Sequence, residues 1–187
     1  MVKREKEYLK KKKKQYLRGT IIWFVIMFSV FIVGYILNRT RKNVFTLVAA
    51  LLVLPVAQYA TQLLAIWKFK DPGIEISDFL ESIKGDYALF HSALMPDTKE
   101  VINFDHIIVT GKNIYCIIDQ RREIGRIKGL LNQKLKAKGI PLKAVQYITF
   151  SKLENKDKFL KEVETIAKQG NQKDLEEYTQ LIAQMMM

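Results

Sequence analysis

Two long runs of apolar residues dominate the first third of the chain. Residues 19–37 (GTIIWFVIMFSVFIVGYIL) and residues 44–67 (VFTLVAALLVLPVAQYATQLLAIW) carry no charged side chain, and the polar residues 38–43 separate them. As helices, the two runs would extend about 28 Å and about 36 Å, against roughly 30 Å for the hydrocarbon core of a bilayer. Neither run has the continuous polar face of a surface helix in a soluble protein. The pattern predicts a transmembrane helical hairpin over residues 19–67.

Small and polar side chains share one face of the second predicted helix, and Pro55 predicts a kink in it. Small residues let helices approach closely, and amides in hydrocarbon need hydrogen-bond partners. We expect this face to pack against the first helix or a second copy of the chain, because a transport pathway would call for charged residues within the runs. The face consists of Ala57, Gln58, Thr61, Gln62 and Ala65.

After a linker, residues 68–76, the pattern changes to short segments typical of one small α/β domain, residues 77–187. Runs rich in β-branched and aromatic residues predict strands at 86–94, 101–110, 113–119 and 142–150. Helical spacing predicts helices at 78–84, with Ser77 as N-cap, and at 123–138, 155–169 and 174–186. The domain therefore has an αβββαβα order followed by a last helix. The helix before the fourth predicted strand implies a crossover and a mixed sheet covered by helices.

The formal net charge of +12 lies entirely in the part of the chain around the hairpin. Residues 1–70 contain 14 basic and two acidic residues, whereas residues 71–187 contain 17 of each. Nine of the basic residues precede the first run, three lie in the loop and two follow the second run. The positive-inside rule then predicts a multi-pass plasma-membrane protein with both the N-terminus and the C-terminal domain in the cytoplasm.

Residues 1–18 are expected to form a basic cytosolic tail. Its lysines would attract anionic lipid at about 1 kcal/mol per residue near the surface, unless they act only as a topology signal. The lysines at the centre of this tail are Lys10, Lys11, Lys12, Lys13 and Lys14.

Few residues suggest thiol or metal chemistry. The single cysteine, Cys116, lies in an apolar predicted strand, so we expect a buried thiol rather than a nucleophile. His91 and His106 are too few and too far apart in sequence to indicate a zinc site.

Residues 104–120 (FDHIIVTGKNIYCIIDQ) resemble the centre of the nuclease-related domain, a branch of the restriction-endonuclease-like fold. In that family an Asp-His pair opens a strand, a glycine-containing turn follows, and an apolar strand ends in Glu-x-Lys. The resemblance covers about residues 77–151 and implies restriction-endonuclease-like topology and Mg²⁺-dependent phosphodiester cleavage, with Asp105 as a metal ligand.

The remaining family positions are not matched. The family's glutamate falls on Ile118 and its lysine on Gln120, while Asp119 lies one position out of register. Glu81 is a further candidate carboxylate. Because this set is incomplete, the resemblance implies a degenerate site.

A basic segment follows the resembling residues. It could contact the phosphates of nucleic acid or of lipid headgroups, or form a solvated helix face balanced by the acidic C-terminal helix. Its first basic residues are Arg121, Arg122, Arg126 and Lys128.

Together these features predict a membrane protein that displays a cytosolic α/β domain as a non-enzymatic anchor, scaffold or partner-binding module. Its partner would be an unidentified protein or a second copy, and no cofactor is expected. One alternative is a membrane-tethered nuclease that binds Mg²⁺ and nucleic acid. A second is a protein that binds anionic lipid headgroups.

Overall fold

The chain divides into two compact units. The computed structural model describes residues 2–40, 43–96, 101–118, 124–137, 139–149 and 156–186. One unit, the hairpin unit, is Leu9–Lys70, and the other, the α/β unit, comprises Met1–Tyr8 and Asp71–Met187.

Long helices form the hairpin unit. They are α1 (Tyr8–Asn38), α2 (Val44–Leu51) and α3 (Val53–Trp67). Two stretches, Tyr8–Asn38 and Val44–Trp67, are long and apolar enough to cross a membrane, and 6% of the most apolar window of each is buried. The two predicted apolar helices are therefore confirmed. The first begins at Tyr8, so much of the predicted tail is helical.

The second apolar helix is interrupted at Leu52, between α2 and α3. Pro55 lies three residues further on and has no N–H to donate to the carbonyl of Leu51, its partner in a regular helix. The missing hydrogen bond accounts for an interruption at this place.

Three contacts set the register between α1 and the returning helices. A Cβ added to Gly34 would lie 2.2 Å from the Cβ of Phe45, and one added to Gly19 would lie 2.6 Å from the Tyr59 ring. Further along, Lys13 Nζ donates a hydrogen bond to the Trp67 carbonyl at 2.9 Å. As the α1 position falls from 34 to 13, the partner position rises from 45 to 67, as antiparallel packing requires.

The face of the second apolar helix that was predicted to pack makes none of these three contacts with α1. Ala57, Gln58 and Thr61 are exposed in this chain, and Gln62 and Ala65 are half-buried. Packing of this face against a second copy stays a prediction.

One mixed sheet organises the α/β unit, with its strands in the order β1-β2-β3-β4-β5. The strands are β1 (Val2–Arg4), β2 (Tyr87–Pro96), β3 (Val101–Thr110), β4 (Ile114–Ile118) and β5 (Val145–Thr149). The two outer pairs are parallel and the two inner pairs antiparallel. The predicted mixed sheet is confirmed, with β1 as a strand that was not predicted. The described topology does not establish a restriction-endonuclease-like fold.

Four α-helices accompany this sheet in the described part of the chain, and a short 3₁₀ helix, Leu142–Ala144, directly precedes β5. The α-helices are α4 (Ile74–Glu81), α5 (Ile124–Ala137), α6 (Lys156–Gln169) and α7 (Gln172–Gln184). The predicted first helix is present, but its bounds of 78–84 are wrong. The observed α4 begins four residues earlier, inside the predicted linker, and ends at Glu81. Ser77 is not its N-cap: it lies within α4, and its hydroxyl donates to the Gly73 carbonyl at 3.0 Å.

Apolar side chains pack in two clusters, which include residues of different helices. Phe104 and Ile107 of β3 share the first cluster with Leu131 of α5 and Ile182 of α7. The second cluster combines strand residues with residues of α4 and α6, and it includes Leu80, Leu89, Ile108, Tyr115 and Val163. Alternation along the strands explains two clusters, one for each face of the sheet.

Candidate functional site

The alternation of the sheet is interrupted at one place, in the middle of β2 and β3. The opposed pairs run from Tyr87 and Thr110 to Pro96 and Val101, and within this ladder only Ser92 and Asp105 are left out. On both strands, residues three apart pack into the same apolar cluster: Phe90 with Ala93, and Phe104 with Ile107. Strict alternation would put such residues on opposite faces. Each strand therefore skips one residue, and the skipped residues are opposite one another and polar.

Ser92 has an unusual backbone conformation, and it hydrogen-bonds to two other segments of the α/β unit. Its φ of 50° lies in the left-handed region, which non-glycine residues seldom occupy. Its hydroxyl donates to Asp71 Oδ1 at 2.7 Å, and its carbonyl accepts from Arg4 Nη1 at 3.3 Å. We call Arg4, Asp71 and Ser92 the Ser92 junction. It joins the residues that precede α1 and follow α3 to the same point of β2.

Beside this junction, the two histidines form part of a chain of polar contacts. His91 and His106 are directly opposed on β2 and β3, and their Nδ1 atoms are 2.9 Å apart. The other ring nitrogen of His91, Nε2, is 3.1 Å from Glu81 Oε1. Glu81 Oε2 is 2.8 Å from Lys6 Nζ, which also bonds to Asp78. We call Lys6, Glu81, His91 and His106 the histidine relay.

The acceptors fix where the protons of the relay lie when both rings are neutral. The Glu81 carboxylate can only accept, so His91 carries its proton on Nε2 and donates it there. His91 Nδ1 is then an acceptor, and His106 must donate to it from its own Nδ1. The relay thus has one direction, from His106 through His91 to Glu81, which also accepts from Lys6.

Burial keeps both rings neutral. His91 and His106 are each 0% exposed. Loss of water, together with a smaller effect of the neighbouring His91, lowers the pKa of His106 to about 3. Burial also lowers the pKa of His91, although the Glu81 carboxylate opposes this shift. At the exposed end, hydrogen bonds to Asp78 and then Glu81 raise the pKa of Lys6. Charge therefore resides at the outer end of the relay, and its inner end is neutral.

Of the carboxylates predicted as candidate metal ligands, Glu81 and Asp105 lie among the described residues. Glu81 belongs to the relay, whereas Asp105 is 6% exposed and lies at the break in the ladder. Asp119, Gln120, Arg121 and Arg122 lie outside the described residues. Among the residues that are described, no three or more His, Cys, Asp or Glu side chains are grouped so that they could hold a metal ion. The described residues do not fit the Mg²⁺ site that the resemblance implies.

Other predicted positions lie outside the relay. Cys116 is buried, as expected, and burial raises the pKa of its thiol. Lys128 is exposed on α5, with its Nζ 5.3 Å from the centre of the Tyr147 ring, and the side chain of Arg126 is not among those described.

Sequence reasoning missed the histidine pair because it treated the histidines as distant. The turn predicted at residues 95–98 is centred between residues 96 and 97 and would place position 91 opposite position 102, whereas His91 is opposite His106. Cross-strand register, rather than spacing along the chain, was the useful signal.

Comparison with known proteins finds no matching family, no matching curated protein and no matching solved structure. The resemblance of residues 104–120 to the nuclease-related domain therefore stays a prediction.

Proposed function

We propose that this protein is an integral membrane protein that crosses the bilayer twice through its hairpin unit. In this proposal the α/β unit acts in the cytosol as a non-enzymatic anchor, scaffold or partner-binding module. The observation that carries the proposal is the exposure of large apolar side chains along the helices of the hairpin unit. Ile36, Leu54 and Leu64 are 67%, 69% and 71% exposed, and many neighbours are similar. Contiguous apolar surface on this scale is unfavourable in water, and the lipid of a bilayer would cover it.

The basic residues support the orientation. Nine Arg and Lys residues precede the apolar run of α1 and two follow α3, against three in the connecting loop. Cytoplasmic flanks carry such an excess, so both ends of the hairpin would face the cytosol.

The polar contacts of the α/β unit favour a binding or structural role over catalysis. A general acid or base must reach its substrate, whereas both histidine rings are fully buried. The relay fastens Lys6 to α4 and β2, and the Ser92 junction fastens Arg4 and Asp71 to β2. Within the α/β unit, these contacts fix the chain just before the first apolar helix and just after the second. Contacts at both places suit a domain that is attached to the membrane at two points.

Labelling of single introduced cysteines tests the topology. Thr40→Cys lies in the loop between the apolar helices, and Lys173→Cys lies at an exposed position of α7, while the natural Cys116 is buried. In intact cells or right-side-out vesicles, a membrane-impermeant maleimide should modify the Thr40→Cys protein and not the Lys173→Cys protein. Both should react after detergent treatment, which is the control for reactivity. Modification of Lys173→Cys from outside would overturn the proposed topology.

A nuclease is the second candidate, and the position of Asp105 favours it. This family-matching aspartate is buried at an irregular point of the sheet beside a strained residue, and strained positions often accompany function. Full-length protein in detergent, incubated with DNA or RNA and Mg²⁺, should leave the substrate intact if our proposal is right. Cleavage that Asp105→Asn abolishes without loss of folding would favour the nuclease.

A further inference from the structure

A cleft of about 460 Å³ lies within the hairpin unit, between the basic turns of α1 and the middle of α3. Three of its lining residues are cations from α1: Lys11, Lys14 and Arg18. At the other end the lining is Gly19 and Ile22 of α1 with Tyr59 of α3. No acidic side chain is among the residues that line it.

Helical geometry places the three cations on one face. Positions 11, 14 and 18 are three and four residues apart, so their side chains follow one another along the same side of α1. Lys14 and Arg18 are exposed, and among the described residues neither side chain has an ion-pair or hydrogen-bond partner. Two unpaired cations therefore border one concave site.

The register of the hairpin explains why cations and apolar surface meet here. Because Gly19 contacts Tyr59 and Lys13 contacts the Trp67 carbonyl, the last two turns of α3 run beside the basic turns of α1. Those turns of α3 (TQLLAIW) carry no charge. The apolar run of α1, by contrast, begins only at Gly19. In the cleft itself, the α1 side is cationic at Lys11, Lys14 and Arg18, and α3 contributes the ring of Tyr59.

The change from a cationic to an apolar lining along the cleft identifies the kind of ligand. From Lys11 to Ile22, about 16 Å along the helix axis, the lining changes from cationic to apolar. A phospholipid changes in the same sense, from its phosphate to its acyl chains. A free anion would use only the cationic end, and an apolar peptide only the other end. Arg18 lies next to the apolar end, and its guanidinium can bind a phosphate through two hydrogen bonds.

We propose that this cleft binds the headgroup of an anionic phospholipid, with the phosphate between Lys14 and Arg18 and the acyl chains directed past Ile22. The inference rests on the proposed insertion of the hairpin in a bilayer. It goes beyond the general attraction of a basic tail to lipid, because it assigns one site with a defined lining.

Lipid retention by the full-length protein in detergent micelles tests this inference. Native mass spectrometry would compare phosphatidylglycerol with phosphatidylcholine of the same acyl chains, each added to the wild type and to two double variants. Lys14→Gln with Arg18→Gln removes two cations from the cleft. The matched control, Lys68→Gln with Lys70→Gln, removes two exposed cations just after α3 that do not line the cleft.

We expect the wild type to retain phosphatidylglycerol in preference to phosphatidylcholine, and the cleft variant to lose about tenfold or more of that preference. The control should keep it to within about twofold, because those two cations do not line the cleft. Equal losses in both variants would show only general charge attraction and would overturn the inference. Displacement of the lipid by millimolar inorganic phosphate would overturn it too, since it would indicate a site for a free anion.

The cysteine labelling described above separates the two levels of failure. If the hairpin is inserted and no phosphatidylglycerol is retained, the cleft assignment fails and the proposed topology stands. If the labelling shows that the hairpin does not cross the membrane, both fail.

Discussion

Apolar side chains are largely exposed in the hairpin unit and largely buried in the α/β unit. Leu54 in α3 is 69% exposed, whereas Leu89 in β2 is 0% exposed. In the α/β unit, apolar side chains from strands and helices cover one another, as a domain in water requires. In the hairpin unit, they point away from the chain. The contrast is the one expected if the hairpin unit lies in lipid and the α/β unit in water, as we propose.

Polar side chains show a related difference. Several in the hairpin unit bond to the backbone of their own helix, as Thr20 does to the Tyr16 carbonyl at 2.9 Å and Asn38 to the Gly34 carbonyl at 3.1 Å. Local bonds of this kind suit a helix surrounded by lipid, where no water can serve as partner. In the α/β unit, polar groups instead meet across the fold, as His91, His106 and Glu81 do.

Matched leucine truncations should give the largest difference between the units. Leu89→Ala removes a buried side chain and should lower the free energy of unfolding of the α/β unit by about 2–5 kcal/mol. Leu54→Ala removes an exposed side chain and should change the stability of either unit by less than about 0.5 kcal/mol. Hydrogen exchange of the full-length protein in micelles, read separately for β3–β4 and for α1–α3, measures both. Equal losses of stability from the two substitutions would contradict the difference in burial between the two units.

Close helix contact in the hairpin unit offers the next largest effect. Gly34→Val would force the α1–α2 contact at Phe45 apart and should cost about 1–3 kcal/mol. The only two tryptophans, Trp23 and Trp67, are both in the hairpin unit, so tryptophan fluorescence during denaturation reports on it alone.

Gly129→Ala in α5 is the control for the glycine substitution. Beyond its own helix backbone and chain neighbours, the added Cβ has no atom within 4 Å, so the tryptophan transition of the hairpin unit should not move. Hydrogen exchange of α5 should show a stabilisation of up to about 1 kcal/mol. A harmless Gly34→Val would refute the observed packing of α1 against α2.

Acid should affect the α/β unit selectively, through the relay. The folded pKa of His106, about 3, is below its ordinary value of 6.5, so the unfolded state binds more protons between these values. Stability is therefore complete above pH 6.5 and falls as the pH drops towards 3. Between pH 6.5 and 5, His106 alone should remove about 1.5 kcal/mol.

Urea unfolding at both pH values, followed by hydrogen exchange of β2 and β3, would measure this loss. His106→Asn should flatten the dependence. An unchanged pH profile in that variant would show that His106 does not produce it.

The smallest effect concerns the Ser92 junction. Ser92→Ala removes the donor to Asp71 and should cost about 1 kcal/mol, because the half-buried Asp71 carboxylate loses one hydrogen bond. Ser82→Ala, which removes an exposed hydroxyl that bonds to its own helix, should change stability by only a few tenths. Thermal unfolding of the α/β unit compares the two, and a Ser92→Ala protein as stable as the wild type would show that the Asp71 bond contributes nothing.

Strong local patterns allowed much of the fold to be predicted. The strand at 101–110 was located to the residue because β-branched residues fill it and Gly111 ends it. The apolar helices were visible from composition alone. β1 was missed because three residues with two cations carry no periodicity, and only pairing with β2 makes them a strand. Ser77 misled because a serine that bonds four residues back looks the same in sequence as a helix cap.

The candidate site was less predictable, since it depends on register. The histidine relay draws residues from β2, β3, α4 and the N-terminal segment, and no short motif contains them. The break at Ser92 and Asp105 was hidden for the same reason: both strands skip a residue together, so neither sequence looks irregular by itself.

Partition of the full-length chain between membrane and water tests the account most directly. Membranes from cells that express it would be washed with alkaline carbonate, which strips peripheral proteins, and then sedimented at high speed. We predict that the protein stays in the pellet and enters the supernatant only with detergent. Recovery of folded, monodisperse protein in detergent-free supernatant would contradict the proposal that lipid covers the hairpin unit.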